Sequence, residues 1–514
     1  MPTASAGAEA AEAGCAPLAP LKASAALDVD VLFSEEGRAR QQGSLRSLAG
    51  QFAGVPGIVS LSGGFPPASL FPFAGMTLHM AGSGAAVPIA DPAAVGAAQQ
   101  YNFSLRGYQP LLSWAERHVA AMHAPPPSGR HQLLITNGGN HTLEMLFALF
   151  MDRGDSLLLE EYSYPVVTES LAQPKGLAAI PVPIDAHGII PERLEQVLAN
   201  LRAAADSGTP GAPRFPKLLY TVPTGQNPTG CTISSERRRA VYRLCQRYGL
   251  LLLEDDPYFF LQYPQGPDAV PGLHGLRAAG SYLSLDTDGR VVRIDSFAKF
   301  LAPGLRLGWV TAHPRITDKL TMTIQSHTVG PCSLSQVVTA ATLEAWGEEG
   351  LDAHLRRVQA EYARRAAVIL AACEQHLTGL AEWSLPSAGM FLWLRLLHVQ
   401  EATDIWEQLK AAKVVLLPGR AMHCRSADPS FRSPHLRASF SNVALEDLEE
   451  GMRRLGQVLR QHAAALAASS PGGSSTPASG SPGAGGSRSP AARMSSMVLS
   501  AGSALTALSS IESW

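Results

Sequence analysis

Arg293-Ile294-Asp295-Ser296-Phe297-Ala298-Lys299-Phe300-Leu301-Ala302-Pro303-Gly304-Leu305-Arg306-Leu307-Gly308-Trp309 is the stretch on which the rest of the chain turns. The apolar, β-branched run of Val291, Val292 and Ile294 reads as a buried strand that ends at Ser296 and Lys299. A Pro303-Gly304 turn carrying Arg306 follows, and then a second strand-like run from Leu307 to Thr311. A hydroxyl, an amine and a guanidinium are thereby gathered at the edge of a buried sheet. A lysine in such a place can be desolvated, which lowers its pKa and makes its amine a nucleophile able to form a Schiff base. Serine and arginine beside it suit an anion such as a phosphate. The competing reading is a surface loop with a solvated lysine and a structural arginine. The spacing of Ser296, Lys299 and Arg306 behind a buried strand puts that reading in the minority.

Outward from this stretch, short apolar strands alternate with longer amphipathic segments, the pattern of a mostly parallel α/β sheet. Gln132 to Thr136 reads as a strand, Asn137-Gly138-Gly139 as a turn and Asn140 to Phe150 as a helix. Asp155 to Glu160, Ala179 to Pro183 and Lys217 to Val222 are further strands. Ser234 and Ser235 offer an N-cap, Val241, Leu244, Cys245 and Tyr248 recur at helical spacing, and Gly249 stops that helix. Leu250 to Leu253 is the next buried strand and delivers Glu254-Asp255-Asp256 to its C-terminal end, where ligands bind in open α/β sheets. After Ser335 the character changes. A long charged helix is expected from Asp352 to about His376, then a strand from Gly389 to Leu396, a helix from Glu401 to Ala412 and a strand from Leu436 to Phe440. These read as a smaller α/β domain.

Several side chains stand out against this frame. Asp255 at a strand end is either an ion-pair partner or a tuned functional group. The run Pro223-Thr224-Gly225-Gln226-Asn227-Pro228-Thr229-Gly230 is a turn by composition, yet it follows a strand directly. Gly138, Gly139 and Asn140 open a helix, and helix N-termini bind phosphates through free amides. Arg437 sits inside an apolar strand, where an unpaired cation is costly, so it needs either an internal carboxylate or a ligand's. Tyr162 and Tyr164 compete as candidates for one aromatic position, with a core role nearly as favoured for either, and the competing, minority reading of Tyr258 is a half-buried core tyrosine.

Ser296-Phe297-Ala298-Lys299 followed by Ala302-Pro303-Gly304-Leu305-Arg306-Leu307-Gly308 resembles the lysine segment of the class I and II aminotransferases, which use pyridoxal 5′-phosphate. The similarity is greatest to the aromatic amino acid and 2-aminoadipate (kynurenine) aminotransferase group and covers roughly Arg46 to Leu459. It implies the fold type I architecture of pyridoxal-phosphate-dependent transferases, with a large domain around a mostly parallel sheet and a smaller α/β domain. It also implies that Lys299 holds the cofactor and moves the substrate proton, with Ser296 and Arg306 on the phosphate. Asp255, in Asp255-Asp256-Pro257-Tyr258, would pair with the pyridine nitrogen, and Tyr258 and Asn227 would both reach the phenolic oxygen. Tyr164 would stack on the ring, and Tyr101 would reach the phosphate of a neighbouring subunit, which makes an obligatory homodimer the expectation. Arg437 would take the substrate α-carboxylate, with Asn227 and Gly64 on the substrate side and Arg46 as a candidate for a distal carboxylate. Relatives often carry a small hydroxyl residue and Gln where this chain has Gly139 and Asn140, so phosphate binding rests here on backbone amides. Phe65 occupies a position that commonly holds a smaller aliphatic residue.

The implied function is transfer of the amino group of an aromatic amino acid, kynurenine or 2-aminoadipate to a 2-oxo acid such as 2-oxoglutarate, by a ping-pong mechanism. The alternatives are a lyase or decarboxylase on the same fold, or a regulatory protein that keeps the cofactor without catalysis. Composition narrows the remainder. With 41 basic and 43 acidic residues in 514, nothing points to nucleic acid or an acidic membrane. Six scattered cysteines show no paired metal spacing, so no metal is expected. No apolar run approaches the roughly 20 residues that span a bilayer. The expected organisation is a flexible arm over 1–45, a segment 46–85 contributing to the small domain, a large cofactor-binding domain over 86–345, a small domain over 346–465, and a disordered Ser/Gly/Pro/Ala-rich tail over 466–514. The first 27 residues carry Glu9 and Glu12 and no Arg, which favours a floppy arm over a transit peptide and a cytoplasmic location over a mitochondrial or plastid one.

Overall fold

A computed structural model describes residues 27–43, 55–59, 61, 64–82, 84–101, 104, 106–263 and 270–469. Arg46, most of the expected arm and nearly all of the expected tail lie outside them. The apolar runs form strands β1 (Gln132–Thr136), β2 (Ser156–Glu160), β3 (Ala178–Val182), β4 (Leu218–Thr221), β5 (Leu251–Asp255), β6 (Val291–Ser296) and β7 (Gly308–Ala312). They make one seven-stranded sheet in the order β1-β7-β6-β5-β4-β2-β3. Only β7 runs antiparallel to its neighbours in this sheet. Both faces are covered, which is why the strands read as continuous rather than alternating apolar runs. Leu157, Leu158, Leu159, Leu218, Leu219 and Leu250 to Leu253 have no solvent exposure.

Parallel alignment brings the C-terminal ends of β1, β2, β3, β4, β5 and β6 to one edge. Helix α1 (Gly139–Phe150) leaves that edge directly after β1. Helix α2 (Ser235–Tyr248) makes the crossover from β4 to β5; Ser234 Oγ caps it by accepting the Arg237 N–H at 3.2 Å, and Gly249 ends it, as the sequence indicated.

Helix α3 (Ser333–Leu377) begins well before the expected Asp352. Gly347, at φ 59 and ψ −164, breaks the helical backbone, so two helices are joined end to end across a kink. Beyond it lies an antiparallel sheet of β8 (Ala381–Trp383), β9 (Phe391–Leu396), β10 (Leu417–Pro418) and β11 (His435–Ser439), in the order β8-β9-β11-β10. The helix expected from Glu401 to Ala412 is a 3-10 turn, Ala402–Ile405, running into a short α-helix, Trp406–Ala411. The two sheets share one core: Leu253, Tyr258 and Ile294 belong to the same apolar cluster as Phe391, Leu392 and Leu436. A hairpin of Met76–His79 with Ala86–Ile89, which the sequence pattern did not announce, packs in a separate small cluster with Val95, Ala98 and Val337.

Candidate active site

The lysine turn is built by two buried phenylalanines. Phe297 and Phe300 are driven into the core, and Phe297 O accepts the N–H groups of Leu301 at 2.9 Å and Ala302 at 3.2 Å. Lys299 between them is left half-buried at the sheet edge. Its Nζ lies 6.0 Å from the Tyr258 ring centroid. Burial pushes its pKa down, and the nearby cations of Arg306 and Arg437 push it further the same way. Ser296 closes β6, and its Oγ accepts the Ala298 N–H at 3.1 Å. Arg306 takes a left-handed backbone (φ 51) and donates from Nη1 to Pro303 O at 3.2 Å. Its Nη2 stands 3.1 Å from where a Cβ on Gly138 would be, and Gly138 itself is at φ 85. Only glycine therefore lets the start of α1 meet this guanidinium. Gly139 beside it has open space around its Cβ position, and Asn140 is exposed. Ser296, Lys299, Arg306, Gly138, Gly139 and Asn140 are thus brought to one edge, as the sequence suggested.

Asp255 ends β5 next to β6, where its strand partner is Ile294. It is buried, and Tyr220 Oη donates to its Oδ2 at 2.8 Å. Burial raises the Asp255 pKa to about 7 against the pull of the Tyr220 hydrogen bond. The alternation of β5 and β6 sends the other charges to the opposite face. There Arg293, fully buried, binds Asp295 at 2.7 Å, Asp256 at 3.0 Å and Glu254 at 3.1 Å.

The loop after β4 is pinned by a second buried carboxylate. Glu160, at the end of β2, accepts from Thr221 Oγ1 at 2.5 Å, Val222 N at 3.2 Å and Gln226 Nε2 at 3.2 Å. Gln226 also donates to Tyr162 O at 2.7 Å, so the turn holding Asn227 is fixed at its base. Asn227 is buried, and its Oδ1 accepts from Arg437 Nη1 at 2.7 Å. Arg437 lies over the Phe391 ring, 4.3 Å from its centroid, and its Nε is buried without an acceptor. Among the described residues no carboxylate pairs with it. Tyr258 packs edge-on against the same Phe391 ring at 5.8 Å.

Of the two competing tyrosines, Tyr162 is committed to the small sheet: its hydroxyl bonds Ser433 and His435, each at 3.2 Å, and its ring abuts Trp393 and His423. Tyr164 lies within electrostatic reach of Asp255, Arg437 and Arg306, and its hydroxyl donates to Asn140 Oδ1 at 3.4 Å. Tyr101 is 52% exposed and meets Phe65, ring centroids 6.3 Å apart. Gly64 is exposed, with nothing around its Cβ position. The sequence reading missed Tyr220, Glu160 and Gln226.

These groups fit pyridoxal 5′-phosphate: a half-buried amine, a helix start opened by glycine beside an arginine, a carboxylate held for a ring nitrogen, and an arginine whose charge has no acid partner. Fold and site together define a lysine-based enzyme of the pyridoxal-phosphate type. Residues 108–455 match the family Aminotransferase class I and II. The chain is 33% identical over 433 residues to the mitochondrial kynurenine/alpha-aminoadipate aminotransferase of Bos taurus, covering 82% of this chain and 97% of that protein. It is 30% identical over 473 residues to an aromatic amino acid aminotransferase of Schizosaccharomyces pombe, covering 85% and 98%. Among solved structures, aminotransferase Aro8 from Candida albicans superimposes with a TM-score of 0.76 at 28% identity, covering 86% of this chain and 99% of that one. The protein belongs to the class I and II aminotransferases, and its cofactor is pyridoxal 5′-phosphate.

Proposed function

We propose that this aminotransferase takes its amino group from an aromatic amino acid, kynurenine or 2-aminoadipate and passes it to a 2-oxo acid such as 2-oxoglutarate, in two half-reactions at Lys299. The observation that carries the reading is Arg437, a guanidinium tied to Asn227, with no acid partner among the described residues and close enough to Lys299 for its charge to be felt there. Pyridoxal 5′-phosphate supplies, when bound, a carbonyl for an amine and a protonated ring that draws electron density from the substrate Cα. Lys299 would hold the cofactor and, as a free amine, would take the proton from the substrate Cα; burial and two neighbouring cations favour its neutral form. Ser296, Arg306 and the amides of Gly138, Gly139 and Asn140 hold the phosphate. Asp255 would accept from the ring nitrogen, Tyr164 would stack on the ring, and Tyr258 and Asn227 would serve the phenolic oxygen. The part of the Arg437 fork that Asn227 leaves free takes the α-carboxylate, with Gly64 on the substrate side and Arg46 for a distal acid.

The working unit proposed is a homodimer, with Tyr101 completing the phosphate site of a second copy. The exposed apolar side chains of Val59 (83%), Leu61 (94%) and Leu70 (76%) support it. Equilibrium sedimentation should give twice the chain mass; an active monomer contradicts this. The proposed division is a large domain over 86–345 and a small one over 346–465, each around its own sheet. Among the described residues no helix is long and apolar enough to cross a membrane. Cytoplasm is the proposed location, on the composition of residues 1–27, and cell fractionation checks it.

Absorbance of the holoenzyme during addition of L-phenylalanine, L-kynurenine or L-2-aminoadipate tests the substrate class. A proper donor bleaches the cofactor band and 2-oxoglutarate restores it. A band that none of them bleaches contradicts the proposal, and release of ammonia or carbon dioxide in place of amino transfer assigns a lyase or decarboxylase instead.

A further inference from the structure

Among the described residues no cation is ion-paired with Asp255. The guanidinium of Arg293, whose charge is felt by Asp255, lies on the other face of the sheet and is occupied by Asp295, Asp256 and Glu254. The strand neighbour of Asp255 on β6 is the apolar Ile294. What does touch the carboxylate is Tyr220. In the parallel pair β4–β5, Tyr220 stands opposite Leu253, and Asp255 lies two residues on, on the same face as Leu253. The phenol reaches ahead along the sheet and donates to Oδ2 at 2.8 Å, the one side-chain hydrogen bond that Asp255 makes among the described residues. Tyr220 has no solvent exposure, and Asp255 is its acceptor. Burial and the nearby carboxylates of Asp255 and Glu160 keep the phenol protonated far above its ordinary range, so it is a donor at every working pH.

We propose that Tyr220 is a positioning residue for the cofactor: by holding Oδ2 of Asp255 it keeps this carboxylate ionised and leaves Oδ1 as the acceptor offered to the ring nitrogen. The inference rests on the role given to Asp255 above and extends it to a residue behind the site. A buried carboxylate without a cation is costly unless a donor stabilises the charged form. A single phenol meets that need without competing for the ring proton.

The test compares the holoenzymes of the wild type, Tyr220→Phe, Asp255→Asn and the double variant. The readouts are the pH midpoint of the bound cofactor's near-visible absorbance, the Kd for pyridoxal 5′-phosphate, and kcat. A weaker hold on the ring proton removes positive charge from the ring, which makes the lysine-linked nitrogen less acidic and moves the midpoint upward. Tyr220→Phe should raise it by on the order of one pH unit and lower kcat by about 10-fold to 100-fold, the weight of one hydrogen bond to a charged group. Asp255→Asn should move both further in the same direction, and the double variant should go no further than Asp255→Asn alone. Placing 3-fluorotyrosine at position 220 strengthens the donor without changing the fold and should shift the midpoint downward, which keeps the inference testable if the Phe variant folds poorly. A Tyr220→Phe holoenzyme with the wild-type midpoint and only a lower melting temperature overturns the inference, as do losses that multiply in the double variant. Asp255→Asn with a wild-type midpoint overturns the reading of Asp255 and this inference with it; a shift in Asp255→Asn but in neither Tyr220 variant overturns the inference alone.

Discussion

Glu160 shows how much of this site is held by groups that never meet substrate. It is buried at the end of β2, and burial raises its pKa to about 8 although Thr221, Gln226 and Val222 all donate to it. In the unfolded chain the same carboxyl titrates near its ordinary value of roughly 4.3. Between those two values the folded protein binds more protons than the unfolded chain, so this group's contribution to stability falls as pH rises across the window. Asp255 and Asp295, both pushed to about 7, act in the same direction. Glu160→Gln should therefore lose less melting temperature than the wild type between about pH 5 and about pH 8. Calorimetry of both proteins checks it, and parallel pH profiles contradict it. At this scale the sequence was most legible where the site is local: Ser296, Lys299 and Arg306 lie within one turn and announce each other. Tyr220 and Glu160 could not be read the same way, because each serves a residue on another strand and the register that joins them is written only in the folded sheet.

At the scale of elements, the loop carrying Asn227 and the bend that leads into β9 touch through two glycines. A Cβ on Gly225 (φ 52) would lie 2.6 Å from Gly389 N, and one on Gly389 (φ 75) would lie 2.8 Å from Gly225 O. Gly389→Ala should therefore cost roughly 2 kcal/mol through backbone strain and overpacking. It should also weaken pyridoxal 5′-phosphate binding, because the loop presenting Asn227 has to retreat. Melting and cofactor titration measure the two effects, and a variant unchanged in both contradicts the contact's importance. Elements with chemical punctuation were readable in advance. The β4-α2-β5 unit had its cap at Ser234 and its stop at Gly249. Helix α3 was only half seen, because Gly347 and Gly350 look like a terminus, while the structure kinks at Gly347 and resumes the helix. The helices Pro92–Gln99 and Gln109–His123 were passed over; both open on proline or just before it, which marks a helix start as readily as a turn.

For the molecule as a whole, a mostly parallel sheet gathers the C-terminal ends of six strands, and the small antiparallel sheet lends Arg437 to that edge through a shared core. The strands of the large sheet were legible because strands buried on both faces leave short apolar runs, while their order and the antiparallel direction of β7 were not. Two of the small sheet's four strands, β9 and β11, lie within about two residues of their expected bounds, whereas the short β8 and β10 and the order in which the strands pair had no signal in the sequence. The central claim is that this edge is organised around Lys299 as the residue that bears pyridoxal 5′-phosphate. The absorbance spectrum of purified Lys299→Ala beside the wild type, both saturated with the cofactor, tests it most directly. The account predicts that the wild type shows the band of a lysine-linked cofactor and turns over, whereas Lys299→Ala shows the spectrum of cofactor held without that link and has no measurable turnover. A Lys299→Ala protein that keeps the wild-type band would contradict it.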